Sequence, residues 1–252
     1  MLDFSFNATA LKDLFHSTLA PWLQEESSAE KGDGKQTLPV LLEAMDQAID
    51  VMARVDADSA VKAQMSAESL GLLEEKDISQ IGQYALDLLE GMVALVQQQT
   101  GEQPRELLRL SIPISLWVAR HGGRLSQIDM VVNSLAGLAN EIVEPHLLEE
   151  LTGIIREVID AVDDDIRRDV EQTNMMRPWR VLNLNYGIVA TRSHNPELIE
   201  QAYDALIKNL PNDARQFFRE GMQQMDIIGY PEEVREVVQR YNDMWGAGDS
   251  LH

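Results

Sequence analysis

The 252-residue sequence has no cysteine, which removes disulfides, iron–sulfur clusters, thiolate zinc sites and a cysteine nucleophile together. Cations are scarce: 21 Lys and Arg stand against 42 Asp and Glu, a formal net charge of −21. A surface that tracks nucleic-acid phosphates must neutralise them with Lys and Arg, so no nucleic-acid partner is expected. Apolar runs fall far short of the roughly 20 residues that cross a bilayer. The first residues carry Asp3 and lack the basic stretch and small-residue cleavage site of a secretory signal. The expectation is therefore a cytoplasmic chain without membrane contact. Catalytic signatures are missing as well. The five histidines, His16, His121, His146, His194 and His252, fall in neither an H-E-x-x-H nor a paired E-x-x-H arrangement, and there is no G-x-G-x-x-G, Walker A or G-x-S-x-G. No metal, cofactor or catalytic residue is assigned, and the reading leans away from an enzyme.

What the sequence does contain is amphipathic periodicity. Residues 1–23 form an apolar arm with helical spacing from Leu11 through Leu14, Phe15, Leu19, Trp22 and Leu23, which Pro21 should end or bend. The arm either docks on its own domain or reaches a second copy in a homodimer through residues 2–23. Residues 24–37 read as a flexible polar linker, 38–246 as a helical repeat domain and 247–252 as a disordered tail. Helices are expected over Leu38–Val55, Ala57–Glu75 and Asp77–Gln99. The stretch from Arg105 to His121 suits a strand as well as a helix and is read as a helix kinked at Pro113. Ser126 and Asp129 resemble a capping box, and one long helix runs from Pro145 to about Gln172. Asp163, Asp164 and Asp165 lie within it. Successive helical residues point about 100° apart, so these three carboxylates read as a solvated face rather than a metal site.

Arg177–Pro211 reads as a helical hairpin, two apolar segments joined by the Ser193–Pro196 turn. LRLSIPISLWVAR, ending at Arg120, can be laid on VLNLNYGIVATR, ending at Arg192. That places Ser115 on Gly187, small residues suited to close helix approach. A second register relates Gly187 to Gly221 at the period of a known helical-hairpin repeat. Gly187 in the first helix, Tyr203 in the second and Pro211 at the end resemble the tetratricopeptide repeat, mainly over residues 177–245. Ile199 and Leu206 occupy places where that family expects alanine. The resemblance implies an all-α fold of stacked antiparallel helical hairpins, a right-handed superhelix. Such a fold buries its apolar surface between neighbouring pairs and binds extended partners on a concave face.

Charge placement suggests where. Residues 105–194 carry 10 basic against 13 acidic residues, and all their cations are arginine. Two windows contain no acid: Leu107–Ile128, with Arg109, Trp117, Arg120, His121 and Arg124, and Gln172–Pro196, with Arg177, Trp179, Arg180, Arg192 and His194. These ten residues are the expected partner-binding set. They would form an Arg/Trp-lined groove for an acidic segment or C-terminal carboxylate, since guanidinium holds carboxylate bidentately and indole adds stacking area. Internal pairing of these arginines with the acidic 146–172 helix is the competing account. The function expected is a non-enzymatic protein-interaction or assembly module with a protein or peptide partner. The alternative is an oligomeric helical bundle with a small-molecule or cofactor pocket, possibly enzymatic.

Overall fold

The structure is a computed structural model that describes residues 2, 4–26, 37–62, 75–170 and 172–246. The core of the expected linker (27–36), part of the Ala/Met/Leu-rich stretch (63–74) and the expected tail (247–252) lie outside the described residues. Among those described, the fold is all-α, with twelve helical segments and a single isolated bridge. No helix is long and apolar enough to cross a membrane. The contacts divide the chain into two compact units, one of residues 3–134 with 161–163, the other of residues 1–2, 135–160 and 164–252.

The first unit begins with α1 (Ala8–Glu26), which lays Leu11, Phe15 and Leu19 on α2 (Leu38–Lys62). Lys12–Asp50 and His16–Asp46 contacts close its edge. Leu11, Phe15 and Leu19 of the arm are buried within this unit, while Leu14 is 48% exposed. Pro21 does not end the helix; it stays inside α1, where its missing N–H costs one backbone bond. α2 packs on both α1 and α3 (Glu75–Thr100) and buries Leu38, Leu41, Leu42, Met45, Ile49 and Met52. The boundary expected between Val55 and Ala57 does not occur: α2 runs through Asp56 to Lys62.

The segment after Pro104 is helical but broken. α4 (Arg105–Arg109) and α5 (Ser111–Arg120) meet at Leu110, whose N–H reaches only to the Leu107 carbonyl, 3.1 Å away. The break precedes Pro113 because a proline cannot donate to the carbonyl four residues back, here Arg109. α5 packs on α3 through a glycine contact: a Cβ built on Gly82 would fall 2.0 Å from Val118 Cγ2. α6 (Asp129–Glu141) follows, without the expected capping box. The Ser126 hydroxyl instead donates to Gln83 of α3 at 2.7 Å.

α7 (Pro145–Ala161) is shorter than its apolar stripe suggests. The Leu125 N–H donates to the Ala161 carbonyl at 2.8 Å and the Leu125 carbonyl accepts from Asp163 at 2.9 Å, drawing the chain into an extended bridge at Val162. Helical hydrogen bonding cannot continue through residues whose polar groups are already engaged elsewhere. Asp164 and Asp165 then open the short α8 (Asp164–Arg167). Among the described residues no group of three or more His, Asp or Glu could hold a metal ion.

The second unit contains α9 (Pro178–Ser193), α10 (Pro196–Asn209), α11 (Pro211–Ile228) and α12 (Glu232–Gly246). α9 pairs with α10 and α11 with α12, while α10 also packs on both members of the second pair. His194, at φ +62°, closes α9, and the Asn195 side chain accepts from the Glu197 and Leu198 N–H groups to start α10. Tyr203 of α10 sits among Phe217, Phe218 and Tyr241, with ring centroids 5.0–5.5 Å away. Gly187 makes room for the first of these rings, since a Cβ there would lie 2.6 Å from Phe217 Cζ. Paired helices with close inter-pair packing describe a stacked-hairpin arrangement. The matching register of α5–α6 with α9–α10 does not carry over, because α5 takes α3 as its main partner.

Candidate functional site

The two acid-free windows fall in different units, so each is described separately. In the first unit, Trp117 is buried and donates its indole N–H to Asp56 at 2.9 Å. His121 stacks on that indole with ring centroids 4.6 Å apart and bridges the Trp117 carbonyl and Asp56, each at 2.8 Å. Arg120 donates to the Phe4 carbonyl, Arg124 faces Glu75 at 3.5 Å, and Arg109 faces Glu106 at 3.3 Å. Trp117, Arg120, His121 and Arg124 therefore converge around the end of α5, tying it to α2, α3 and the residues ahead of α1. Arg109 stands apart on α4.

In the second unit Trp179 is buried, its indole N–H without a partner in the structure. Arg192 caps the C-terminal turn of α6 by donating to the Ala139 and Ile142 carbonyls, both at 2.6 Å. His194 packs edge-on against Tyr230. Arg177 and Arg180 build a denser arrangement in the loop between α8 and α9. The Arg177 guanidinium forks onto both Asp169 oxygens and reaches Asp213 at 3.4 Å, and the same group donates to the Gln172 and Asn174 carbonyls. Arg180 donates to Asp213 at 2.7 Å and to the Met175 carbonyl at 3.0 Å. The Asp169 hydrogen bond, ahead of the opposing effect of burial, pushes the Arg177 pKa further above its ordinary value.

This network fixes a loop that turns its apolar side chains outward. Val170 is 81% exposed, Met175 52% and Met176 76%. Asp169 itself holds φ +49°, a left-handed conformation that an L-residue keeps only when its surroundings over-determine it. A strained turn, a buried ion-pair network and three exposed apolar side chains thus occupy one short stretch. Charge and tryptophan content point to Arg177 and Arg180, but not to Met175 and Met176, the exposed side chains on the loop that these two arginines anchor. The Met-Met pair inside an acid-free window was the available signal. Asp169 and Asp213 lie too far from Arg177 in sequence for spacing to have paired them.

A second feature lies wholly in the first unit. A recess of ≈ 370 Å³ is lined by Leu86 and Glu90 of α3, Ser115 of α5, Gln127, and Asp129, Met130 and Val131 at the start of α6. Ser115 is fully buried and its hydroxyl has no hydrogen-bond partner. Its neighbours differ: Ser111 and Ser134 share a 3.2 Å contact and both donate to the Leu108 carbonyl. Leaving a buried hydroxyl unpaired costs about 1–3 kcal/mol. In comparisons with known proteins the chain matches no family model, no curated protein and no solved structure.

Proposed function

We propose that the chain is a non-enzymatic interaction module whose second unit presents the Val170–Met176 loop to a protein partner. The observation that carries this reading is the Arg177–Asp169–Asp213–Arg180 network, which spends two nearly buried guanidinium groups on a loop whose apolar side chains face solvent. A loop needs no such anchoring to remain solvated. Binding surfaces, by contrast, combine a rigid base with adaptable contact groups, and methionine supplies polarisable, many-rotamer surface of that kind. The stacked hairpins α9–α12 supply the base.

The tetratricopeptide-like reading belongs to the same proposal and rests on Gly187, Tyr203 and Pro211, which occupy a close helix approach, the centre of the aromatic cluster and the first turn of α11. For an acidic ligand, support is weaker at Arg177 and Arg180, whose guanidinium groups already face Asp169 and Asp213. The test uses the full chain as bait in quantitative affinity capture, comparing it with the Met175→Asp/Met176→Asp and Met244→Asp variants. Loss of the same captured proteins from the loop variant alone is the expected result. Identical capture by all three, with circular dichroism unchanged, rejects the loop as the interface. Each acid-free window is tested by itself: charge reversal at Arg120, or at Arg192, that leaves capture unchanged with the fold intact discards that window as an acidic-segment site.

A further inference from the structure

The recess in the first unit has a chemistry that the loop proposal does not use. Ser115, one of its lining residues, carries a buried hydroxyl with no partner inside the protein. Leu86, Met130 and Val131 give the recess apolar walls, and the exposed carboxylates of Glu90 and Asp129 stand at its edge. Gln83 steadies that edge by accepting from the Ser126 hydroxyl and donating to the Gln127 side-chain carbonyl at 2.9 Å. Its volume falls at the small end of ligand sites, which span about 300–1,000 Å³.

The sign of the ligand's charge follows from a comparison of magnitudes. The N-terminus of the 13-residue α6 contributes about half a positive charge, and Asp129 in its first turn already offsets that. Glu90 adds a second full negative charge, so the local balance is negative, as is the field of a chain with net charge −21. An anion is disfavoured on both counts. A group with a positive head and a short apolar stem satisfies every lining element at once. An ammonium would pair with the carboxylates at the edge, its methylenes would cover the apolar walls, and Ser115 would offer a buried acceptor to a donor that reaches it.

We infer that this recess is a binding site for a small aliphatic amine, with Ser115 as the buried hydrogen-bond acceptor and Glu90 and Asp129 as the charge partners. The inference stands apart from the Val170–Met176 loop and survives its failure. The test is an NMR titration of the full-length ¹⁵N-labelled chain with 1,4-diaminobutane, alongside n-butanol, glutarate and a lysine-containing dipeptide. Saturable shifts at the Ser115, Met130 and Val131 amides are expected for the diamine and not for the alcohol or the dianion. Ser115→Ala should weaken binding roughly tenfold, the scale of a lost hydrogen bond to a charged group. Glu90→Gln should weaken it about threefold, as for an exposed ion pair. Glu149→Gln, on the second unit, controls for diffuse attraction to an acidic protein. Equal loss in that control, indifference to Ser115→Ala, or binding of n-butanol at the same strength overturns the site. Saturation by the lysine dipeptide without any by the diamine overturns the free-amine assignment.

Discussion

Arg177 is the residue on which the second unit's loop depends most. Its side chain is almost completely buried between two carboxylates and two backbone carbonyls. Removing one member of a buried ion pair leaves the other desolvated and unpaired, so Arg177→Met should destabilise the unit by about 3–5 kcal/mol. Urea denaturation measures the loss, and hydrogen exchange should place it in residues 164–246. Arg177→Lys should recover little, because an ammonium cannot reproduce the fork onto Asp169.

Two phenols give a pH prediction. Burial is the first cause that raises the Tyr203 pKa, opposed by the hydrogen bond with Thr191; burial and then the Asp204 hydrogen bond raise that of Tyr241. A phenol raised in the folded state keeps its proton where the unfolded chain has released it. Its contribution is therefore complete below the unfolded value near pH 10, and is lost as pH rises through the folded one. Urea midpoints should fall steeply above about pH 10, and Tyr203→Phe should flatten that fall.

Elements in this chain are set by contact as much as by local pattern. Gly187→Ala would put a methyl group into the Phe217 ring and should cost about 1–3 kcal/mol, the range for overpacking. Phe217→Leu in the same background should return part of that, measured as a coupling in a double-mutant cycle. A purely additive result would mean that the two helices are free to separate. Most helices could be read from their stripes, because Leu38–Val55 and Asp77–Gln99 bury one face and show a 3.6-residue period. α9 was ambiguous for a physical reason. Its buried face, with Leu182, Tyr186, Val189 and Ala190, includes the polar Asn183, while the opposite face carries the apolar Val181, Leu184 and the 44% exposed Ile188, so polarity does not mark which side faces solvent. Its end was legible, since Asn195-Pro196 forms a cap followed by a first-turn proline. The end of α7 was not, because the residue that terminates it, Leu125, lies far away in the sequence. Site residues divide in the same manner. Arg177 and Arg180 stood out by charge, whereas the recess required Ser115, Glu90 and Asp129 to be brought together by three different helices.

At the scale of the whole molecule, net charge dominates. With −21 formal charges, self-repulsion works against the compact state, and its reach shortens from about 30 Å to about 8 Å between 0.01 and 0.15 M salt. The melting temperature should therefore rise over that range in sodium chloride; a flat or falling profile would show that local pairing, such as Lys12–Asp50, outweighs the net field. The Leu125–Val162 bridge adds a constraint of a different kind, one of time. Residues 161–163 belong to the unit formed by residues 3–134, yet 26 intervening residues belong to the other. During synthesis from the N-terminus, the first unit cannot be completed when its own helices have emerged. It must wait for Val162, by which time the start of the second unit is already outside the ribosome. A nascent chain released at residue 134 would lack the two backbone bonds at Leu125, and the order of assembly is thereby written into a single bridge.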